Sequence, residues 1–193
     1  LQEQIKRTNS MLVQLKDSEK IFRDFVNFIP DAVFAIDMEG KVIIWNKTAE
    51  ELTGVKSNEI LGKGNYEYSI PFYGIRRPIL IDAVSRPIDE IKELYPYIEK
   101  KGDIVLGESF TSNNGHGIRY MWGIAAPLYD SSGNVIGALE SVRDITDRKN
   151  TELALKDRET QLNNIINCSP VSQFVIDKNH KITYWNKALE SIS

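Results

Sequence analysis

The sequence contains very little cysteine and histidine. Among its 193 residues, Cys168 is the only cysteine, and the two histidines, His116 and His180, stand far apart. A single cysteine excludes an internal disulfide and a cysteine zinc cluster, and the histidines lack the spacing of metal ligands. The sequence therefore predicts no metal site, and we expect His116, between two glycines, to be an exposed turn residue.

Long apolar runs and a strong net charge are absent as well. No uninterrupted apolar stretch approaches the roughly 18 residues of a membrane span, and no segment resembles a signal peptide. With 24 basic and 27 acidic residues, the net charge is −3, which does not favour nucleic-acid binding. We therefore expect a cytoplasmic segment without nucleic-acid or membrane contacts. Because it begins with Leu1 and stops inside a helical pattern, we expect it to be part of a longer protein.

Motifs of common catalytic sites are missing too. The sequence has no P-loop, no Gly-x-Gly-x-x-Gly motif and no Gly-x-Ser-x-Gly elbow. Carboxylates are numerous, but none stands out by its spacing as an acid–base pair. No catalytic residue is predicted, and we do not expect this segment to be an enzyme.

Two segments have helical periodicity. In residues 1–29, apolar positions recur at alternating steps of four and three, with polar interruptions at Thr8 and Glu19. This pattern predicts an amphipathic helix that ends before Pro30 and pairs with a second copy of the chain; a helix packed on its own domain is the alternative. Residues 147–168 predict a second, more charged helix, whose apolar face includes Leu155, Leu162 and Ile166.

Between these helices, the sequence changes to strand periodicity. Residues 33–37 and 41–45 predict a β-hairpin. Asn46 then stands at a helix N-cap position before a short helix over residues 47–52, which Gly54 ends.

The rest of this region predicts helices and then strands. Two segments that begin with proline, Pro78–Val84 and Pro87–Lys100, predict helices. Three β-rich segments follow, separated by strong turn signals: Ile104–Ser112, Ile118–Leu128 and Val135–Ile145. With the hairpin, they predict an α+β domain with a five-stranded antiparallel sheet and helices on one face.

A block of sequence recurs at an offset of 140 residues. Residues 30–37 align with residues 170–177. Downstream of them, Lys41, Trp45, Asn46, Lys47 and Glu50 recur as Lys181, Trp185, Asn186, Lys187 and Glu190. Matches across a strand, a turn, a second strand and a cap indicate that a second domain of the same kind begins here and is cut off.

The repeated block resembles the opening of a PAS domain. The resemblance rests on Asp37 with Gly40, on the Trp45-Asn46 pair and on the Leu-Thr-Gly sequence that ends at Gly54. Residues 133–137 and 143–149 resemble the last strand and the exit motif of that family, and residues 66–82 are similar to a variant in multi-PAS sensors of archaea and bacteria.

The resemblance implies a domain organisation and a function. It implies a linker helix over 1–29, a complete PAS domain over 30–146, a linker helix over 147–168 and a truncated second PAS domain over 169–193. Such a module senses a small ligand or a state and relays it through its flanking helices to an output domain. We expect that output to be a histidine kinase of a two-component phosphorelay, with a cyclase or transcription regulator as alternatives.

Partners and competing functions follow from the same resemblance. We expect a homodimer formed through the flanking helices, with a downstream PAS domain and a kinase domain as further partners. Two alternatives remain open. One is a ligand-free PAS dimerisation module, and the other is a redox sensor with noncovalent flavin.

The resemblance also limits the cofactor. A PAS photosensor that forms a flavin–thiol adduct needs a cysteine after the first hairpin, and residues 62–77 contain none. A haem PAS domain commonly uses a histidine ligand, and residues 78–100 contain none. The cofactor stays unknown, with a small molecule or noncovalent flavin still possible.

In PAS domains, the cavity lies between the inner sheet face and the middle helices. The candidate pocket residues are aromatic or arginine side chains: Tyr66, Tyr68, Tyr73, Arg76, Arg77, Tyr120 and Trp122. Aromatic walls with an arginine fork suit a planar or carboxylated ligand. The alternative is that the aromatics fill the core and the arginines face water.

Two features of the last strand complete the candidates. Glu140 interrupts an apolar run; we expect it to face outward, and a buried ion pair with Arg119 is the alternative. By resemblance, Asp144, Ile145 and Thr146 transmit the signal, with Asp144 fixing the angle between the strand and the exit helix. Thr146 or Asp147 is expected to cap that helix.

Overall fold

The computed structural model describes residues 2–111 and 118–191. They form two compact units, one up to Ile145 and one from Thr146 onward, and each is described by itself. The predictions for Leu1 and for the turn around His116 lie outside the described residues.

The first unit opens with a long helix, α1 (Gln2–Phe28), of which only Val26 is buried. The helix matches the predicted segment 1–29. Its apolar positions Ile5, Leu12, Leu15 and Phe22 are all at least 50% exposed. The alternative of a helix packed along its own domain is therefore wrong for the described residues, while pairing with a second copy stays a prediction.

A six-stranded antiparallel sheet follows α1 in the first unit. Its strands are β1 (Ala32–Asp37), β2 (Val42–Trp45), β3 (Tyr97–Lys101), β4 (Ile104–Thr111), β5 (Arg119–Tyr129) and β6 (Val135–Asp144), in the order β2-β1-β6-β5-β4-β3. Three short helices lie between β2 and β3: α2 (Lys47–Thr53), α3 (Ser57–Ile60) and α4 (Ile70–Tyr73). The predicted α+β class and the antiparallel sheet are confirmed.

Local chemistry accounts for the first hairpin. The Asp37 carboxylate accepts the amides of Glu39 and Lys41 at 2.9 Å each, as an Asx turn requires. Gly40 has a φ of 75°, a left-handed conformation that glycine adopts without a steric penalty.

The segment predicted as a helix over Pro87–Lys100 differs from the structure. It contains only two single 3₁₀ turns, Ile88–Glu90 and Lys92–Leu94, and then enters strand β3. Pro96 disfavours helical backbone at the residue before it, and β3 finds its hydrogen bonds on β4 through the turn at Gly102. The sheet therefore has six strands instead of the predicted five. The helix predicted over Pro78–Val84 is shorter and of another type, because only Leu80–Val84 is helical and it is a 3₁₀ helix. We name this segment the Leu80 turn.

The core lies on one face of the sheet, under the short helices. Phe34 is fully buried and its ring lies 5.5 Å from Trp45, 6.0 Å from Tyr68 and 5.7 Å from Phe72, centroid to centroid. These tilted aromatic contacts join β1, β2 and the segment around α4 into one hydrophobic cluster. Helices on one face of the sheet are thus confirmed.

The second unit contains a long helix and a small hairpin. The helix, α5, spans Thr146–Cys168, and the hairpin consists of β7 (Phe174–Ile176) and β8 (Ile182–Trp185), followed by α6 (Lys187–Glu190). No helix within the described ranges has both the length and the apolar character that crossing a bilayer requires.

Candidate functional site

Asn46 joins the end of α1 to the sheet. Its side-chain oxygen accepts the amides of Val33 at 2.9 Å and Ala49 at 2.8 Å. Its side-chain nitrogen donates to the carbonyls of Val26 at 3.1 Å and Asp31 at 3.0 Å. The predicted N-cap is confirmed, and the same buried amide also holds the incoming helix.

The second unit repeats this arrangement at the 140-residue offset. The Asn186 oxygen accepts the amides of Gln173 and Leu189, and its nitrogen donates to the carbonyls of Ile166 and Val171. All four partners are the counterparts of those of Asn46. The sequence repeat is therefore a structural repeat in which each incoming helix is held by one asparagine.

Tyr68 is an interior residue. It is 1% exposed, and its hydroxyl donates to Asp82 Oδ1 at 2.7 Å. The other Asp82 oxygen accepts the amide of Ile79 at 2.8 Å and so caps the Leu80 turn. Burial raises the pKa of Asp82, and burial together with the Asp82 charge raises the pKa of Tyr68.

Tyr73 and Arg77 form a second polar cluster near the interior. The Tyr73 hydroxyl is 2.9 Å from Ser109 Oγ on β4, and the Arg77 guanidinium carbon lies 3.8 Å from the centre of the Tyr73 ring. The Arg77 Nε and the Tyr95 hydroxyl are buried, and neither makes a hydrogen bond to a residue that the structure describes. Burial raises the pKa of Tyr73 and of Tyr95.

Tyr66 and Arg76 lie nearer the surface. Arg76 forms an ion pair with Glu67 at 2.5 Å and is half exposed. Tyr66 packs edge-on against Tyr68, at 6.2 Å between ring centroids, and the Arg86 guanidinium lies 5.8 Å from its ring centre. Tyr66 and Tyr68 therefore line a common surface, whereas Arg76 points into solvent, as the alternative interpretation of the arginines expected.

Tyr120 and Trp122 lie on the other face of the sheet. Along β5, Met121, Gly123 and Ala125 are buried toward the core, so the residues between them face outward. Trp122 stacks on Tyr97 with 6.0 Å between ring centroids, on the outer face. The prediction that Tyr120 and Trp122 share a face is correct, but that face is opposite the helices, so they do not line the interior.

Glu140 overturns both expectations for it. It is 4% exposed and faces the core, and its Oε2 accepts the amide of Ile81 at 2.9 Å. Arg119 instead donates to the carbonyl of Leu52, and no salt bridge among the described residues includes Glu140. Burial raises the pKa of Glu140 to about 8. The charged residue points inward because the Leu80 turn provides an amide donor there, which the β6 sequence does not reveal.

Two spaces border these residues. An enclosed cavity of about 10 Å³, roughly the space of one water molecule, is lined by Tyr73, Tyr95, Ser109 and Glu140 among others. An open groove of about 510 Å³ lies at the end of the sheet that bears the β1–β2 turn, with Tyr66, Tyr68, Asp82 and Arg86 in its wall. The groove has the volume of a small-molecule site, whereas the enclosed cavity does not.

The exit from the sheet is tied to its entrance. Arg143 Nε and Nη2 donate to the two carboxylate oxygens of Asp31 at 2.7 and 2.8 Å. Beyond the exposed Asp144, the amide of Ile145 donates to the carbonyl of Tyr120 at 2.8 Å, and Thr146 is the first residue of α5. The predicted transmission residues therefore lie where the last strand leaves the sheet.

Comparison with known proteins assigns the family. A family model described as PAS domain matches residues 30–147, and another with the same description matches residues 160–193. The chain belongs to the PAS domain family. The match to residues 160–193 includes the block that repeats residues 30–50 at the 140-residue offset, in agreement with the start of a second PAS domain there.

Three solved structures are among those to which this chain is similar. The PAS domain of BvgS from Bordetella pertussis has 20% identity and a TM-score of 0.48, covering 75% of this chain and 97% of that one. An RNA-binding light-oxygen-voltage receptor has 16% identity and a TM-score of 0.51, covering 74% of this chain and 37% of that one. The PAS domain of an HTR-like protein from Haloarcula marismortui has 12% identity and a TM-score of 0.43, covering 71% and 99%.

Within this PAS domain, sequence reasoning missed three interior polar residues. The sequence predicts Glu140 on the outside and indicates no role for Asp82 or Tyr95. One signal was available for Glu140, which is a carboxylate at an inward position of a strand whose alternate residues, Ala138 and Val142, are apolar. No comparable sequence signal marks Asp82 or Tyr95.

Proposed function

We propose that this chain is a cytoplasmic sensory module that detects a small molecule or a chemical state and relays it through its flanking helices to an output domain. The output is a histidine kinase of a two-component phosphorelay, which carries the catalysis. The chain itself has no catalytic role in this proposal. The family membership supports sensing, and the hydrogen-bonded ends of the domain support the relay.

One observation carries the proposal: the end of α1, where the chain enters the domain, and the end of β6, where it leaves, are both connected to Asp31. Asn46 bonds to Val26 on α1 and to the carbonyl of Asp31, and Arg143 on β6 bonds to the carboxylate of the same Asp31. A change of β6 therefore reaches both the end of α1 and the strand end that precedes α5. A relay needs two states that differ in such contacts, together with a signal that prefers one of them.

The groove is the candidate input site. Its wall includes the Tyr68–Asp82 pair, and Asp82 also caps the Leu80 turn, which Glu140 holds to β6. A ligand that contacts Tyr66, Tyr68 or Asp82 therefore has a short path of contacts to β6. Its site is wide and partly polar, which favours a small organic molecule over a metal ion.

Noncovalent flavin is the weaker alternative. The enclosed cavity between sheet and helices has the space of about one water, and Tyr73, Tyr95 and Phe72 occupy its walls. An isoalloxazine ring does not fit there unless these side chains move. A ligand-free dimerisation module is the other alternative, and the exposed apolar positions of α1 favour it.

Gentle purification followed by native mass spectrometry and visible spectroscopy tests these functions. A retained small molecule that is lost in Tyr66→Ala and kept in the outer-face control Tyr97→Ala supports sensing in the groove. A yellow protein supports flavin. A dimer that never carries a small molecule, from any purification, contradicts ligand sensing and favours the dimerisation module.

A further inference from the structure

The inner face of β6 carries a carboxyl group without a cation. Glu140 is buried, and each ion pair among residues 2–111 and 118–191 uses other acidic residues. Its described hydrogen bond is the one from the Ile81 amide. A carboxylate in such surroundings loses its hydration without gaining a counter-charge, so the protonated form is favoured.

The groups around Glu140 do not compensate a negative charge. Asp82 on the Leu80 turn is itself acidic, and its charge disfavours ionisation of Glu140. The other titratable neighbours are phenols: Tyr68 beside the groove, Tyr73 on α4 and Tyr95 before β3. Arg77 stacks on Tyr73, and Arg86 acts on Asp82, and neither guanidinium group forms an ion pair with Glu140 among the described residues. The strands beside β6 place the uncharged Phe34 and Ala125 opposite Glu140.

The Leu80 turn covers this carboxyl group. Leu80 is fully buried, and its two methyl carbons occupy the space above Gly107 and Gly123, where a Cβ would lie only 2.9 and 2.7 Å from them. The Glu140 Oε1 lies next to the same Gly123, 3.1 Å from such a Cβ. Opening of this turn would therefore expose Glu140 to water, and the turn is a single five-residue 3₁₀ segment.

We propose that Glu140 is a proton-binding site, and that loss of its proton releases the Leu80 turn from the sheet and so alters β6, the strand that leads to the exit segment. The inference rests on the proposed sensory function and makes proton activity one of its signals. The turn is the bistable element. The closed state holds a neutral acid against the Ile81 amide, and the open state holds a hydrated carboxylate.

The sign of the response follows from linkage. In the closed state the pKa of Glu140 is raised to about 8, and in the open, hydrated state it returns toward its ordinary value of 4.5. Between these two values, only the closed state holds the proton, so opening increases by about tenfold per pH unit and levels off above pH 8. Rising pH therefore favours the open turn across the neutral range.

Amide hydrogen exchange of Ile81 measures this opening. After correction for the intrinsic exchange rate, the opening constant of the wild-type chain is expected to rise about tenfold per pH unit from about pH 5 to 8. In Glu140→Gln, which keeps an acceptor for the Ile81 amide but cannot ionise, the rise is expected to shrink to the part that Asp82, the other buried carboxyl group on this turn, contributes. Glu108→Gln, on the outer face of β4, is the matched control and is expected to behave as wild type.

A slope in Glu140→Gln as large as that of the wild-type chain, or a wild-type chain without a slope, overturns the proposal. If Glu140→Gln fails to fold, the wild-type chain still decides, through carbon-13 NMR of its Glu140 carboxyl group. A titration midpoint above about 6.5 supports the proposal, and any lower midpoint overturns it. Both measurements use the chain without ligand or output domain, so they do not depend on whether a ligand or a kinase is found. Conversely, a Glu140 titration midpoint that overturns the present proposal does not contradict ligand sensing in the groove.

Discussion

Arg143 and Asp31 form a two-pronged ion pair that connects the two ends of the PAS domain. The guanidinium Nε and Nη2 reach the carboxylate oxygens at 2.7 and 2.8 Å. Asp31 directly precedes β1 and lies two residues after Ile29, whose carbonyl accepts a hydrogen bond from Thr48. Arg143 is the penultimate residue of β6. Paired planar groups fix both distance and orientation, so this contact transmits geometry better than a single hydrogen bond does.

We expect Arg143→Gln to change signalling more than stability. Arg143 is 62% exposed, so water screens the pair from one side and its loss is expected to lower the free energy of unfolding only slightly. If the output is the proposed histidine kinase, the variant is expected to shift basal autophosphorylation of a protein that contains both, while urea denaturation of this chain shows no more than that small loss. A matched control is Lys56→Gln, which breaks a pair of the same exposure with Glu50 on α2. Equal kinase effects of the two variants would contradict a role in relay.

Asp144→Ala is expected to uncouple the output without unfolding the sheet. Asp144 is exposed at the last position of β6, so its removal leaves the core contacts of the strand intact. The measurement is stimulus-dependent autophosphorylation of the proposed kinase output when it is joined to this chain, with circular dichroism of this chain as the folding control. A variant whose autophosphorylation responds to the stimulus as in the wild type would contradict this prediction.

Asn46→Ala is expected to destabilise the first domain by at least about 3 kcal/mol, because it leaves two amides and two carbonyls without their buried partner. Urea denaturation measures the loss. Asn58→Ala, on the exposed surface of α3, is the control and is expected to cost little. A loss below 1 kcal/mol for Asn46→Ala, on the scale of one net hydrogen bond, would show that α1 is held by other contacts.

The pH dependence of stability is expected to differ between the wild-type chain and Glu140→Gln. The pKa of Glu140 is raised from 4.5 to about 8 in the folded chain, so its contribution to stability is present below pH 4.5 and is lost as pH rises to 8. The free energy of unfolding of the wild type, relative to the variant, is expected to fall by about 1.4 kcal/mol per pH unit at most in this window. Parallel curves from urea denaturation at several pH values would refute the buried neutral acid.

A charged substitution on the apolar side of α1 is expected to weaken a dimer. Leu12 and Leu15 are about half exposed and have no partner within the described part of their own unit that buries them. Leu12→Asp combined with Leu15→Asp places like charges in the predicted seam, so sedimentation equilibrium is expected to show a larger share of monomer. Gln14→Asp, on the side of the helix away from Leu12, is the control. An unchanged dimer in the double variant would place the dimer contact elsewhere.

Local signals predicted most of the elements. The Asp37 turn, the Asn46 cap and the left-handed Gly54 each depend on chemistry within a few residues, and the structure has all three. The helices around the domain and the strands β4 to β6 also lie close to their predicted bounds, because their periodicity is long. The helix predicted before β3 failed because short segments with proline have no periodicity strong enough to outweigh a strand partner.

The candidate pocket was only partly predictable. The sequence placed Tyr120 and Trp122 correctly on one face of a strand, but a period of two does not say which face meets the helices. Tyr68 and Tyr73 were assigned to the interior wall and lie there, while Arg76 pairs with Glu67 at the surface. The contacts of Tyr68 with Asp82 and of Tyr73 with Ser109 join residues 14 and 36 positions apart, which no local pattern encodes.

The sequence by itself determined the repeat, the family and the chain of strands and helices, because these depend on local periodicity, turn chemistry and a 140-residue self-match. Only the tertiary structure decided which group binds Glu140 inside the domain, the sixth strand and the shared contacts of Asp31. The reason is physical. A buried charge or an edge strand is stable only where a distant segment supplies a donor or a partner, and the Ile81 amide is 59 residues away from the carboxyl group it binds.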